Sequence, residues 1–517
     1  MAEDTQVPKR SRTSGGSPRE DKHAFTAGIS ITSLENPFSA GDDYQTMAQG
    51  DSESSRKKQE EREASFRQYI MAILVNLTGI NSGFMFGFSA ISLPQMGHLT
   101  ASELSWVAAA GSLTTPLGCV LSGVLADAVG RKPTLLLTQA PSLVGWLVLA
   151  ATDDFASVCA ARALTGLGAG MASSPARIYV AEATQTHLRG TLSALGSVTL
   201  SLGVCLVYLL GSLVQWQAVA AVSAAVPAVC LVGLLFVPES PAYLAGRRDL
   251  AAARRALRKL RGNGFDIENE IKELSLGVKE VVEGESRLLT KLKTFRRPAL
   301  YKPLGLLIMY FVIYQCSGVN AVTFYAVNIL IEATPEYGDG SYYVAVSIGV
   351  IRLLFTIWTC YLLKIMGRKT LTLISAVGCG ISMILLGVYI HFTAGCTPAS
   401  CFFLKIVQWV PAMLLNVFTA VSTVGYLTVP WVMVGEVYPP EVRGFAAGLS
   451  SCICYLFIFA VVKTFKPLEE LVQMKTVFWG YGTISLFGSV LFWFFLPETK
   501  GKSLKEIEAI FTGEQTE

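Results

Sequence analysis

From Tyr69 onward the chain alternates long apolar runs with short polar breaks, each run near the ~20 residues a helix needs to cross a ~30 Å hydrocarbon core. Six runs, at about 69–92, 104–126, 133–151, 157–181, 190–212 and 216–237, precede a polar block. Six follow it, at about 303–331, 342–365, 370–392, 402–434, 445–465 and 474–496. Several contain Gly or Pro, which helix bundles tolerate because neighbouring helices re-satisfy the freed backbone groups. The pattern predicts an all-α membrane protein of twelve transmembrane helices in two six-helix, pseudo-symmetric halves, 69–237 and 303–496. A linker with short helices (238–302) joins the halves, and tails flank them (1–68 and 497–517). Residues 1–65 are rich in Ser, Thr, Gly and charged types and cannot bury enough surface to offset their ordering entropy, so disorder is expected there. They carry no apolar signal-peptide core and no cleavage site. Asn36-Pro37-Phe38 resembles an endocytic-adaptor motif, and a plain polar tail is the other reading.

Composition agrees with the pattern. Only 15% of the 517 residues are charged and 52% are hydrophobic, whereas soluble domains carry about 25% charge. A net charge of +4 is no nucleic-acid footprint, and 11 Cys are too few for a disulfide scaffold. No phosphate-binding loop, nucleophile elbow or zinc-protease motif occurs, and there are four His, so no enzyme, cofactor or metal is expected. Lys and Arg concentrate in the first tail, the central block and alternate short loops, the latter with Arg131-Lys132, Arg189, Arg368-Lys369 and Arg443. The opposite loops lack them, apart from Lys463, Lys466 and Lys475 near the last one. The positive-inside rule therefore puts both termini in the cytoplasm. Cys396 and Cys401 flank a short outer loop, where a disulfide and two free thiols are both open. The one Asn-x-Thr match, Asn76 to Thr78, falls inside the first helix.

The halves repeat their punctuation. Asp127-Ala-Val-Gly-Arg131-Lys132 between helices 2 and 3 corresponds to Lys364-Ile-Met-Gly-Arg368-Lys369 between helices 8 and 9. Glu182 and Arg189 follow helix 4 as Glu436 and Arg443 follow helix 10, and Pro238-Glu239-Ser240 matches Pro497-Glu498-Thr499. Carboxylate–guanidinium pairs of this kind have the directional strength of a two-state latch, so pairing across the halves when the inner side closes is one reading. Charges that only fix topology are the other.

Leu164-x-Gly166-Leu167-x-x-Gly170, followed by Tyr179, Glu182 and Arg189, resembles the sugar-porter signature of the major facilitator superfamily. Gly130-Arg131-Lys132, Pro238-Glu239-Ser240-Pro241, Gln315-x-Ser317-Gly318-x-Asn320, Pro430-Trp431 and Pro497-Glu498-Thr499 add to the likeness, which covers about 69–510. Ser105-Trp106 and Gly83-Phe84 with Pro94 are similar to insect facilitated trehalose transporters and related facilitative hexose carriers. The resemblance implies a major facilitator fold and facilitative transport of a sugar, trehalose or hexose, by alternating access around a central site. A monomer in the plasma membrane is expected, its partners being the sugar and the lipid bilayer. A carrier of a non-sugar or anionic solute, or a non-transporting nutrient receptor with a signalling tail, are the alternatives.

By the same resemblance Gln315 and Asn320 bond sugar hydroxyls, Trp431 offers its face to the sugar ring, Tyr325 closes the site from outside and Ser197 stands at a contact position. Several family contacts are replaced: Tyr314, Ser197, Thr423, Ser451 and Cys452 stand where amides, an acid or Trp are usual. Arg352 replaces a sugar-contacting Asn. An ionised residue in mid-membrane is costly, so Arg352 either contacts an anionic or phosphorylated substrate, pairs with an acid, or snorkels. Arg162 is expected to be structural and Arg177 to pair with Glu182 within one turn. No acid stands at midplane depth, which favours a uniporter over a proton symporter.

Overall fold

The computed structural model describes residues 59–262, 267–272, 274, 298–334, 338–393, 408–438, 443–502 and 504–512. Twelve helices are long and apolar enough to span a bilayer. They are α1 (Gln59–Gln95), α2 (Ala101–Ala128), α3 (Arg131–Ala151), α4 (Phe155–Ala183), α5 (His187–Leu213) and α6 (Trp216–Phe236) in the first half. The second half holds α7 (Leu300–Ala333), α8 (Gly340–Ile365), α9 (Arg368–Thr393), α10 (Val410–Glu436), α11 (Ala446–Val472) and α12 (Met474–Phe495). Helix α1 begins at Gln59, inside the stretch read as tail. Cys396, Cys401 and the side chain of Arg443 lie outside the described residues.

Local chemistry starts the helices where the sequence breaks. Thr100 and Glu103 form a reciprocal capping box at α2, and the Asp154 carboxylate caps α4 by accepting from Ser157 N–H at 2.9 Å. Within each half, small residues allow close crossings: a Cβ at Gly166 on α4 would overlap the Gly111 carbonyl oxygen on α2. Buried polar side chains bind the same half together. Asn81 on α1 donates to Ser142 Oγ at 2.8 Å and accepts from Trp146 Nε1 at 2.8 Å. Outside, Leu117, Val124, Phe487 and Phe494 are exposed, and such an apolar surface needs lipid around it.

The linker and the last segment dock on the bundle. Arg261, at the end of the amphipathic helix Leu250–Arg261, pairs bidentately with Glu270 (3.2 and 2.7 Å) and donates to Ala183 O of α4 at 2.8 Å. The helix Leu504–Thr512 lies within the stretch expected as a C-terminal tail and buries Ile507, while its Phe511 carbonyl accepts from Lys302 at 2.7 Å.

Candidate substrate site and its twin clamps

The repeated motifs form two matching charge clamps at the end of the bundle that carries the basic turns. In the first half, Arg131 forks onto Glu182, Nε to Oε2 at 3.1 Å and Nη2 to Oε1 at 2.9 Å, and Ser240 donates to the same carboxylate. Glu239 accepts from the backbone N–H of Arg131 (3.0 Å) and Lys132 (3.2 Å), so a carboxylate sits on the positive N-terminus of α3. In the second half Arg368 forks onto Glu436 (3.3 and 2.7 Å), Thr499 donates to it at 2.7 Å, and Glu498 caps Arg368 (2.9 Å) and Lys369 (3.2 Å) of α9. Gly130 precedes α3 at φ +106°, and a Cβ at Gly130 or Gly367 would overlap the capping carboxylate. Burial pushes the Glu498 carboxyl up, but the N–H groups of Lys500, Arg368 and Lys369 and the Arg368 charge outweigh it and hold the group below the usual carboxylate range.

In this conformation the clamps do not bridge the halves. Glu182 binds Arg131 and Glu436 binds Arg368, each inside its own half, because the α2–α3 and α8–α9 turns fold back onto the ends of α4 and α10. Arg189 is exposed and makes no ion pair among the described residues. Asp127 is largely exposed and only brushes Arg131 at 3.4 Å. Arg177 does not pair with Glu182: its guanidinium lies over the Trp431 ring at 5.2 Å, reaching across from α4 to α10.

At the other end the halves meet directly. Lys463 of α11 donates to Ser105 Oγ at 2.6 Å and sits over the Trp106 ring at 4.4 Å. Lys466 is held by Glu332 (2.6 Å) and Glu469 (2.7 Å), so two of the lysines that broke the charge rule are committed to partners. Tyr325 is fully buried, stacked on Phe465 at 4.8 Å, and donates to Val462 O at 3.0 Å.

Between the ends, α7 is broken. Gly318 adopts φ +84° and the helix restarts at Val319, with a second kink at Tyr325. Discontinuous helices place polar side chains and backbone at the centre of transporter bundles. Gln315 and Asn320 flank the break and are bonded, Asn320 Nδ2 to Gln315 Oε1 at 2.5 Å; Gln315 also reaches Cys454 Sγ at 3.5 Å. Trp431 is half-buried beside Phe311 (5.8 Å) and Tyr455 (6.2 Å), and Phe86 of α1 stacks on Tyr455 at 6.4 Å and meets Phe324 at 5.9 Å. Ser197 is exposed, one turn from Ser201, which bonds Thr356 of α8 at 2.8 Å.

The two interior arginines differ. Arg162 is wholly buried and spends its donors on Val107 O (3.3 Å), Met85 O (3.0 Å) and Ser89 Oγ (2.7 Å), as a structural residue would. Arg352 is 7% exposed, so it does not snorkel, and no carboxylate pairs with it among the described residues. It lines a narrow cavity with Tyr208, Thr323, Thr419 and Ser422, with room for about one water (≈ 10 Å³ reachable by a water centre). The sequence singled out Arg352 but not its neighbours, since Ser, Thr and Tyr in apolar helices carry no signal of their own.

Two repeated halves, each locked at its basic end, with a broken-helix polar centre between them, define a transporter of the major facilitator fold. It is a multi-pass membrane protein and not an enzyme. Residues 34–511 match the family described as "Sugar (and other) transporter". The facilitated trehalose transporter Tret1 of Bombyx mori is 29% identical, over 86% of this chain and 87% of its own. A facilitated trehalose transporter Tret1-2 homolog of Drosophila simulans is 30% identical over 87% and 92%. Among solved structures, a partially occluded inward-open form of the E. coli xylose transporter XylE superposes with TM-score 0.69 at 21% identity, covering 84% of this chain and 99% of that one. The proton:xylose symporter XylE bound to 6-bromo-6-deoxy-D-glucose gives 0.68 at 22% over 87% and 100%. The chain belongs to the sugar (and other) transporter family.

Proposed function

We propose that the chain is a facilitative carrier of a sugar, in the hexose to trehalose range, and that the halves rock around Gln315 and Asn320. The observation that carries this reading is the amide pair at the break of α7, which reaches Cys454 of α11, next in the chain to Tyr455, the ring that meets Phe86 of the first half and Trp431 of the second. Each amide offers a donor and an acceptor, the complement of a hydroxyl, while an aromatic face suits the C–H side of a sugar ring. Tyr325 seals the far side through α11. Every Asp and Glu of the described membrane helices stands in the first or last two turns, which supports uniport, because a midplane proton relay is missing among them. The trehalose carriers named above support the sugar class.

In this reading the basic end faces the cytoplasm of the plasma membrane, and one chain suffices because the pathway lies within it. The pairs Arg131–Glu182 and Arg368–Glu436 make each half rigid, with the exposed Asp127 at the edge of the first, and Arg189 and Arg443 supply cations for acceptors on the opposite half when the basic end closes. Uptake of labelled glucose and trehalose into proteoliposomes tests the proposal. Gln315→Ala and Asn320→Ala are expected to raise KM about tenfold, as loss of hydrogen bonds to a bound hydroxyl should. No uptake by the native chain, or an unchanged KM in both variants, overturns it.

A further inference from the structure

We infer that the pathway, besides neutral sugars, takes sugars bearing a carboxylate in preference to their neutral amides, and that Arg352 is the residue that reads the charge; this rests on the sugar-carrier reading above. Arg352 Nη1 donates to Thr323 Oγ1 at 3.3 Å, Nε is buried with no partner, and Nη2 makes no hydrogen bond among the described residues. The edge left open is the Nε/Nη2 side, which takes a carboxylate bidentately through two parallel N–H···O bonds. Arg162 shows what a guanidinium looks like when this fold uses it structurally: all three nitrogens are engaged and the Phe88 ring covers it at 5.6 Å. Arg352 is nearly as buried without that satisfaction, and a buried cation of this kind calls for an anion.

Its position ties the anion to the sugar site. Thr323, which holds the guanidinium, lies one turn along α7 from Asn320, and that ~5 Å step is of the order of a pyranose ring. Hydroxyls at Gln315 and Asn320 thus leave a ring substituent at Arg352. A second cation stands where the halves meet: Arg177 of α4 is exposed and stacked on Trp431 of α10. With no acid in the middle turns of the described helices, both arginines bias the path toward anions, and a single free guanidinium edge at Arg352 suits a carboxylate better than a phosphate dianion.

The test uses the full chain in proteoliposomes with D-glucuronate, its neutral amide D-glucuronamide, D-glucose and glucose 6-phosphate as probes. Glucuronate is expected to compete for transport about tenfold better than glucuronamide, the worth of one charge-assisted bidentate contact. Arg352→Gln should bring that ratio close to one, and Arg352→Lys, which keeps charge but not the planar fork, should retain part of it. The wild-type ratio decides by itself if a variant does not fold. Equal competition by acid and amide, an unchanged ratio in Arg352→Gln, or preference for glucose 6-phosphate overturns the inference. If glucose is carried while glucuronate neither enters nor competes, the inference falls and the sugar-carrier reading stands; if no probe is carried or competes, both fall.

Discussion

Removing the Glu436 carboxylate charge tests whether the twin clamps lock each half or latch the two together. In Glu436→Gln, three charge-assisted bonds are weakened, those from Arg368 Nε (3.3 Å), Arg368 Nη2 (2.7 Å) and Thr499 (2.7 Å). The paired side chains are 15% and 26% exposed, between the surface limit of about 0–1 kcal/mol and the buried limit of about 3–5 kcal/mol for a broken pair. A coupling of about 1–2 kcal/mol is therefore expected in the cycle Glu436→Gln, Arg368→Gln and the double variant, read from unfolding free energies in mixed micelles. The matching cycle on Arg131 and Glu182 should give a similar value, since that pair is 13% and 21% exposed. Because the clamps share no partner, combining one lesion from each half should be additive within about 0.5 kcal/mol. Coupling below about 0.3 kcal/mol within a clamp, or coupling above 1 kcal/mol between clamps, would refute the reasoning.

Three further outcomes follow from the geometry. Gly166→Ala drives a methyl group into the Gly111 carbonyl and should cost about 1–3 kcal/mol of unfolding free energy, with Gly190→Ala, which meets nothing within 4 Å, as the control. Because the folded Glu498 carboxyl is held below its ordinary range, its stabilisation is complete above the unfolded value and is lost as pH falls through the folded one; Glu498→Gln should flatten that acid limb of the stability–pH curve. Lys463→Met removes the bond to Ser105 and the contact with Trp106, so a cysteine placed at Thr323 should react about three- to tenfold faster with an impermeant thiol reagent added from that end.

Much of the architecture was legible because a membrane span announces itself through length and apolarity, and because duplication repeats turns at matched positions. The break in α7 was marked in the sequence by Ser317-Gly318 between the two amides. The pairing of charges was not legible. Glu182 and Arg189 lie seven residues apart, but they flank a turn, and the folding back of α3 on α4 brings Arg131 to the carboxylate instead. Glu239 and Glu498 could be seen to repeat, yet their role as caps depends on Gly130 and Gly367 leaving space for them. Arg177 on Trp431 joins helices from different halves, a contact no local spacing encodes. Helix α1 begins among polar residues that the apolar count left in the tail.

Exchange of labelled sugar in proteoliposomes, with pH recorded on both sides, bears most directly on the claim that two rigid halves carry sugar without an ion gradient. The account predicts that unlabelled glucose or trehalose inside the vesicles accelerates entry of the labelled sugar, with no net proton movement and no effect of a protonophore. Entry that collapses with the proton gradient, or an inside pool that leaves entry unchanged, would contradict it.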